Sequence, residues 1–207
     1  MPRNGVNAYF ADGVLFDAGS RTDIRKVLRA LDGHTVTEHA LTHGHADHQG
    51  ASHAVCDAFD VLLACGEGDA DAVTSGELRK LMPNNAFSKM IVRIGGPAHP
   101  VARRLREGDT VGGFNVIEMP GHSPGHVVYW READRTLILG DVLNNMNLLT
   151  TVSGLREPPK VFTPDPAQNR GSARKLLGLR PNLVCFGHGP PLRDPDRFEE
   201  FIQALPD

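Results

Sequence analysis

Thr42-His43-Gly44-His45-Ala46-Asp47-His48 sets three imidazoles and a carboxylate within six positions, directly after a run from Val36 to Thr42 that reads as a strand. That composition is the composition of a metal site. Imidazole nitrogen and carboxylate oxygen are donors that Zn²⁺, Mn²⁺ or Fe²⁺ accept, and the lack of nearby cysteine excludes a thiolate cage. Gly44 and Ala46 are small enough for the backbone to curl ligands inward, and extended backbone would turn His43 and His45 to one side. A surface cluster without a role would suffer repulsion whenever its rings became charged. One loop cannot close a site, so further donors are expected from elsewhere. His122 in Pro120-Gly121-His122-Ser123-Pro124-Gly125-His126, Asp141 in Leu139-Gly140-Asp141 and His188 in Phe186-Gly187-His188-Gly189 each follow a short apolar run and have glycine beside them, as suits backbone that approaches an ion closely.

Outward from that segment, Asp12-Gly13 between Ala8-Tyr9-Phe10 and Val14-Leu15-Phe16 predicts a hairpin. Ile24, Val27, Leu28 and Leu31 predict an amphipathic helix capped near Ser20 or Thr22 and ended by Gly33. A buried helix over Asp47 to Phe59, a strand at Val61-Leu62-Leu63-Ala64 and a polar helix from Gly66 to Leu81 follow, with a break at Pro83-Asn84-Asn85. Val116-Ile117-Glu118, Val127-Val128-Tyr129-Trp130 and Thr136-Leu137-Ile138-Leu139 read as strands. Residues 142–165 lack a period and read as a long loop; a helix near Pro166 to Leu177 and a strand at Leu183-Val184-Cys185-Phe186 complete the pattern. Two halves, each running through strands to helix and strand, predict an α/β fold of layered α/β/β/α type. No linker-like tract divides them, so a single domain over residues 1–207 is expected.

The chain of 207 residues carries 22 basic and 25 acidic side chains, a formal charge of −3. That balance disfavours nucleic acid or an anionic membrane as partner and leaves a small-molecule substrate. Cys56, Cys65 and Cys185 form no Cys-x-x-Cys pair, Met1 to Gly5 are polar and turn-forming, and no apolar stretch approaches 18 residues. The expectation is a cytoplasmic protein in a reducing compartment, with neither signal peptide nor membrane span.

Taken together, His43-x-His45-x-Asp47-His48, Gly-His122-Ser-Pro-Gly-His126, Gly-Asp141 and Gly-His188-Gly, in that order, resemble the metallo-β-lactamase-fold superfamily, especially its glyoxalase II-like hydrolases. The resemblance runs from Asn7 to His188 and takes in Asp17-Ala18-Gly19 at the end of the first hairpin. It implies a four-layer αββα sandwich. It also implies two divalent metal ions, zinc first with manganese or iron as alternatives: His43, His45 and His122 on one, Asp47, His48 and His188 on the other, and Asp141 bridging. A metal-bridging hydroxide would then attack a small ester, thioester or lactone, with water or Asp47, as catalytic residue, protonating the leaving group. Asp17 is expected to orient an imidazole from behind, and His126 to support the site without ligating.

The alternatives are a persulfide dioxygenase-like oxidoreductase with one iron held by two His and one Asp, and a non-catalytic binding protein on the same fold. Acyl-homoserine lactonases of this superfamily use a Tyr near the metals, and this chain has only Tyr9 and Tyr129. Cys185 reads as a buried strand residue. His34, His39 and His99 are expected to be solvated, and His53 to be a packed or surface residue. Arg103-Arg104-Leu105-Arg106 reads as a wet face with anion binding as its other use. Met90, Ile91, Val92 and Ile94, and Leu148, Leu149, Val152, Leu155, Val161 and Phe162, are candidates for a pocket wall, ordinary core or a homodimer contact.

Overall fold

The computed structural model describes residues 5–207; Met1 to Asn4, part of the polar N-terminal reading, lie outside the described residues. The hairpin around Asp12-Gly13 forms as β1 (Tyr9–Ala11) and β2 (Val14–Phe16). β3 (Glu38–Ala40), β4 (Leu63–Gly66) and β5 (Val101–Leu105) join them in a five-stranded sheet of order β1-β2-β3-β4-β5, parallel from β2 onward. The second half supplies β6 (Thr110–Val111), β7 (Phe114–Glu118), β8 (Val127–Arg131), β9 (Thr136–Gly140) and, beyond a small hairpin of β10 (Asn144–Met146) and β11 (Ser153–Arg156), β12 (Leu183–Phe186). That sheet has the order β12-β9-β8-β7-β6, with β12 parallel to β9 and the rest antiparallel.

The period of two along the strands sorts side chains between layers. Val14 and Phe16 of β2, Ala64 of β4, and Val127 and Tyr129 of β8 share one core, in which the Phe16 ring meets those of Phe114 and Tyr129 at centroid distances of 5.2 and 4.7 Å. Their neighbours point the other way. Leu15 packs with Val27 of α1 (Ile24–Ala30) and Val55 of α2 (Ser52–Phe59), and Leu63 and Cys65 pack with Val73 of α3 (Glu67–Ser75). On the far side Val128, Trp130, Leu137 and Leu139 meet Ala173 of α5 (Pro166–Arg174) and Phe198 and Ile202 of α6 (Pro195–Gln203). The order is helices, sheet, sheet, helices: the expected αββα sandwich. Each large side chain buried between the layers contributes roughly 1.5–3 kcal/mol.

Several local expectations are corrected. Residues 46–51 are turns rather than helix, and α2 starts only at Ser52. Within the expected loop 142–165, β10 and β11 pair. Its Leu155 packs on the α5–α6 core, while Leu149, Val152 and Val161 are exposed. Arg103-Arg104-Leu105 belongs to β5, an edge strand whose Leu105 is buried, and Arg103 pairs with Glu38 at 2.9 Å while Arg104 pairs with Glu67 at 3.3 Å. Those carboxylates answer the charges, so the run is no open anion site. A short helix, α4 (Ala86–Ile91), occupies the insertion; Ile91, Val92 and Ile94 pack on the α3 side and Met90 stays exposed. Cys56, Cys65 and Cys185 are free and buried. Among the described residues no helix is long and apolar enough to cross a membrane.

Candidate metal centre

β2, β3, β9 and β12 end, β7 ends and β8 begins at one common edge of the two sheets. Asp17, the His43–His48 loop, His122 and His126, Asp141 and His188 therefore converge there. One donor atom each from His43, His45 and His122 lie within 4.8 Å of one another, as do those of His43, His48 and Asp141, and of Asp47, His48 and His188. Asp141 spans the groups: its Oδ1 is 3.7 Å from His48 Nε2, and its Oδ2 is 3.6 Å from His122 Nε2 and 3.1 Å from His188 Nε2. Asp47 Oδ2 lies 3.4 Å from His188 Nε2.

The outward face of each ring is tied down. Thr42 Oγ1 donates to Asp17 Oδ2 at 2.8 Å, which leaves it to accept from His43 Nδ1 at 3.0 Å. Thr163 Oγ1 donates to the Pro159 carbonyl at 3.1 Å and likewise accepts from His122 Nδ1 at 3.0 Å. His45 Nε2 donates to the Leu81 carbonyl at 3.2 Å, and His188 Nδ1 to the Gly5 carbonyl at 2.5 Å. These partners fix which nitrogen carries the proton and aim the other inward. His43 Nε2, His48 Nε2, His122 Nε2 and Asp141 Oδ1 are buried without a hydrogen-bond partner among the described residues. Burying unpaired polar atoms costs about 1–3 kcal/mol each, and a set of them turned toward one another is the donor arrangement a cation completes.

Asp17 orients the loop. It has a left-handed backbone, φ +57°, unusual outside glycine. Its carboxylate accepts from Thr42 N at 2.8 Å and from His48 Nδ1 at 2.9 Å, bonds that hold it there. His126 stands behind the ligating positions: its Nε2 accepts from the Asp141 amide at 3.1 Å, and its ring stacks on His43 at 4.9 Å. Gly187 is required by closeness, since a Cβ there would fall 2.1 Å from Asp141 Oδ1.

Charge divides the centre. Burial, and then the neighbouring imidazoles, push His43 and His122 well below the ordinary histidine pKa; burial lowers His45 too, against the pull of Asp47. These rings are neutral and present lone pairs. Burial also opposes charge on His48 and His188, but Asp17 and Asp141 outweigh it at His48, raising it to about 9, and Asp141 with Asp47 raises His188 well above its usual range. In return, although burial works against ionisation, His48 and His188 hold the Asp47 and Asp141 carboxyls well below the carboxylate range.

Asp69 is the residue that sequence reasoning missed. Fully buried in α3, its carboxylate accepts from the Gly44 amide at 2.8 Å, Ser123 Oγ at 2.6 Å and the Gly125 amide at 2.6 Å. It thus clasps the loop of His43 and His45 to the loop of His122. Burial raises its carboxyl pKa, and these three donors oppose the rise. The available signal was position: Asp69 shares the buried side of α3 with Ala72 and Val73, three and four residues on. His39, expected to be solvated, is buried instead, between the Leu15 carbonyl at 2.9 Å and Ser52 Oγ at 2.8 Å. His34 is exposed as expected, whereas His99 is half-buried against His53.

The sequence pattern of the Metallo-beta-lactamase superfamily matches residues 1–188. The chain belongs to that superfamily. Within the superfamily it is 32% identical over 149 residues to Probable metallo-hydrolase YybB of Bacillus subtilis, an alignment covering 72% of this chain and 62% of that protein. A shorter match, 30% over 108 residues, joins half of this chain to a third of a hydroxyacylglutathione hydrolase of Bdellovibrio bacteriovorus. Among solved structures, TTHA1623 in a di-iron-bound form superposes with a TM-score of 0.67 at 27% identity, covering 91% of this chain and 89% of that one. The BLEG-1 B3 metallo-beta-lactamase superposes with a TM-score of 0.70 at 26% identity, covering 93% and 90%. The YybB alignment takes in less than two thirds of that protein's length.

Proposed function

We propose that this protein is a dinuclear-metal hydrolase that cleaves a small ester, thioester or lactone in the manner of glyoxalase II. The observation that carries the reading is the pair of donor groups joined by Asp141, with inward donor atoms unpaired among the described residues. His43, His45 and His122 would hold one divalent ion and Asp47, His48 and His188 the other, zinc being the first choice for such donors and iron or manganese the alternatives. When bound, the ions supply Lewis acidity toward a carbonyl oxygen and lower the pKa of water to near neutrality.

The protein's own part is orientation and charge. Thr42, Thr163, Leu81 and Gly5 set the ring tautomers, Asp17 and Asp69 set the loops, and Asp141 lies between the two groups. Asp47 is the carboxylate of the set open to solvent, its side chain 20% exposed, against 5% for Asp141. Ionised as a ligand, Asp47 would also accept a proton from water, and water or Asp47 would then protonate the leaving group. Neither tyrosine hydroxyl is free for the lactonase role: Tyr9 Oη donates to the Phe186 carbonyl at 2.8 Å and Tyr129 Oη to the Leu41 carbonyl at 2.6 Å.

Elemental analysis of protein made without added metal, followed by a thioester, ester and lactone panel, tests the proposal. Two ions per chain with turnover on the panel are expected. One iron per chain with oxygen uptake on a persulfide would replace the hydrolase by the dioxygenase reading, and full metal loading without turnover would leave a binding protein.

A further inference from the structure

A second group of donors lies outside the centre. His53 and Asp57 stand one turn apart on α2, and His99 comes from the loop that leads into β5. His53 Nδ1 is 3.0 Å from His99 Nδ1, and His53 Nε2 is 3.2 Å from Asp57 Oδ2. One donor atom from each of the three lies within 4.8 Å of the others. Two facing Nδ1 atoms at this distance need something between their lone pairs, either a shared proton or a cation. Their separation is close to the edge of a zinc tetrahedron, roughly 3.3 Å for Zn–N bonds of about 2.0 Å.

The loop is held in place independently of any ion. Pro97 and Pro100 flank Ala98-His99, and Gly96 lies so close to the start of α2 that a Cβ on it would meet the Gly50 carbonyl oxygen at 2.2 Å. Preorganised ligands lose little freedom on binding. Burial and the nearby His53 lower the pKa of His99, so that its ring is available in the neutral form.

We propose that His53, Asp57 and His99 form a separate surface site for a divalent transition metal, which clamps α2 to the loop before β5. Two imidazoles and one carboxylate favour Zn²⁺, Ni²⁺ or Cu²⁺ over Ca²⁺ or Mg²⁺, and the half-exposed rings leave coordination positions open to water.

The test is calorimetric titration of Zn²⁺ into the metal-loaded full chain and its His99→Ala and His53→Ala variants, alongside Asp141→Ala, which disrupts the buried centre. Wild type should take up one ion beyond the buried set, each surface variant should bind that ion at least tenfold more weakly, and Asp141→Ala should retain it. With Cu²⁺ in place of Zn²⁺, electron paramagnetic resonance should show nitrogen hyperfine structure that His99→Ala alters. Superimposable titrations of wild type and both surface variants would overturn the site, as would the absence of any uptake beyond the buried set. Because the readout is stoichiometry in a chain with or without the buried centre, failure of the hydrolase reading would leave this outcome unaffected.

Discussion

The two halves of the centre use histidine in opposite ways. Around His43, His45 and His122 burial dominates and the rings are neutral; around His48 and His188 the same burial is overruled by Asp17, Asp47 and Asp141, and the rings favour a proton. The difference lies in the carboxylates within reach, since every one of these rings is buried. One half therefore offers a cation lone pairs at once, whereas the other must first give up protons, so loading of the Asp47–His48–His188 half should depend more steeply on pH. Asp141 is where the halves meet, and substitutions can show whether they behave as one unit or two.

The largest effect is expected at Asp141 itself. Asp141→Ala should weaken both halves and lower kcat/KM by roughly 10³-fold or more, on the scale set by removing a principal electrostatic group from an active site. Elemental analysis is the check, and a variant that still held two ions would make the bridge a fiction. Next come His122→Ala and His188→Ala, each expected to deplete its own half and to cost about 10²-fold in kcat/KM. If both variants lost both ions equally, the division into halves would be a matter of charge alone.

A smaller effect is expected one layer out. Asp69→Ala strands two buried amides and a buried hydroxyl, a loss of at least about 3 kcal/mol on the scale of 1–3 kcal/mol for each unsatisfied group. It should also weaken metal binding by about 10–100-fold. The neighbouring Asp71→Ala, on the exposed side of α3, is the control and should leave metal affinity unchanged. Equal affinities in the two variants would show that the clasp between the loops is not needed for loading.

The sequence carried the donors and the sandwich because both follow from local pattern. Histidines stood where apolar runs ended, and alternation in β2 and β8 divided their side chains between two cores. What escaped was set by tertiary structure. Asp69 is chosen by two loops, at Gly44 and at Ser123 to Gly125, that meet it only in three dimensions. β5 was hidden because two consecutive arginines, Arg103 and Arg104, fall on opposite faces of an edge strand, where ion pairs rather than burial answer the side chains. The carbonyls of Leu81 and Gly5 that fix His45 and His188 carry no sequence signature, since any residue could supply them.

His39 supplies the mildest test of whether burial or partners govern histidine here. It has the burial of His43, and it lies between the Leu15 carbonyl, which accepts from Nδ1, and Ser52 Oγ. Burial lowers its pKa to about 4, against 6.5 for an ordinary histidine. Between those values the unfolded chain takes up a proton that the folded one refuses. The contribution is thus fully present above pH 6.5 and declines as the pH falls toward 4, by at most about 3 kcal/mol. The other histidines take up protons in the same region once the chain unfolds, so the informative quantity is the difference between wild type and His39→Gln in urea unfolding from pH 7 to 4.5. The variant is expected to be less stable at pH 7, with a gap that narrows on acidification because glutamine has no proton to take up. A gap that stayed constant across that range would mean that His39 accepts its proton in place, and that burial without a carboxylate partner does not suffice to keep a histidine of this protein neutral.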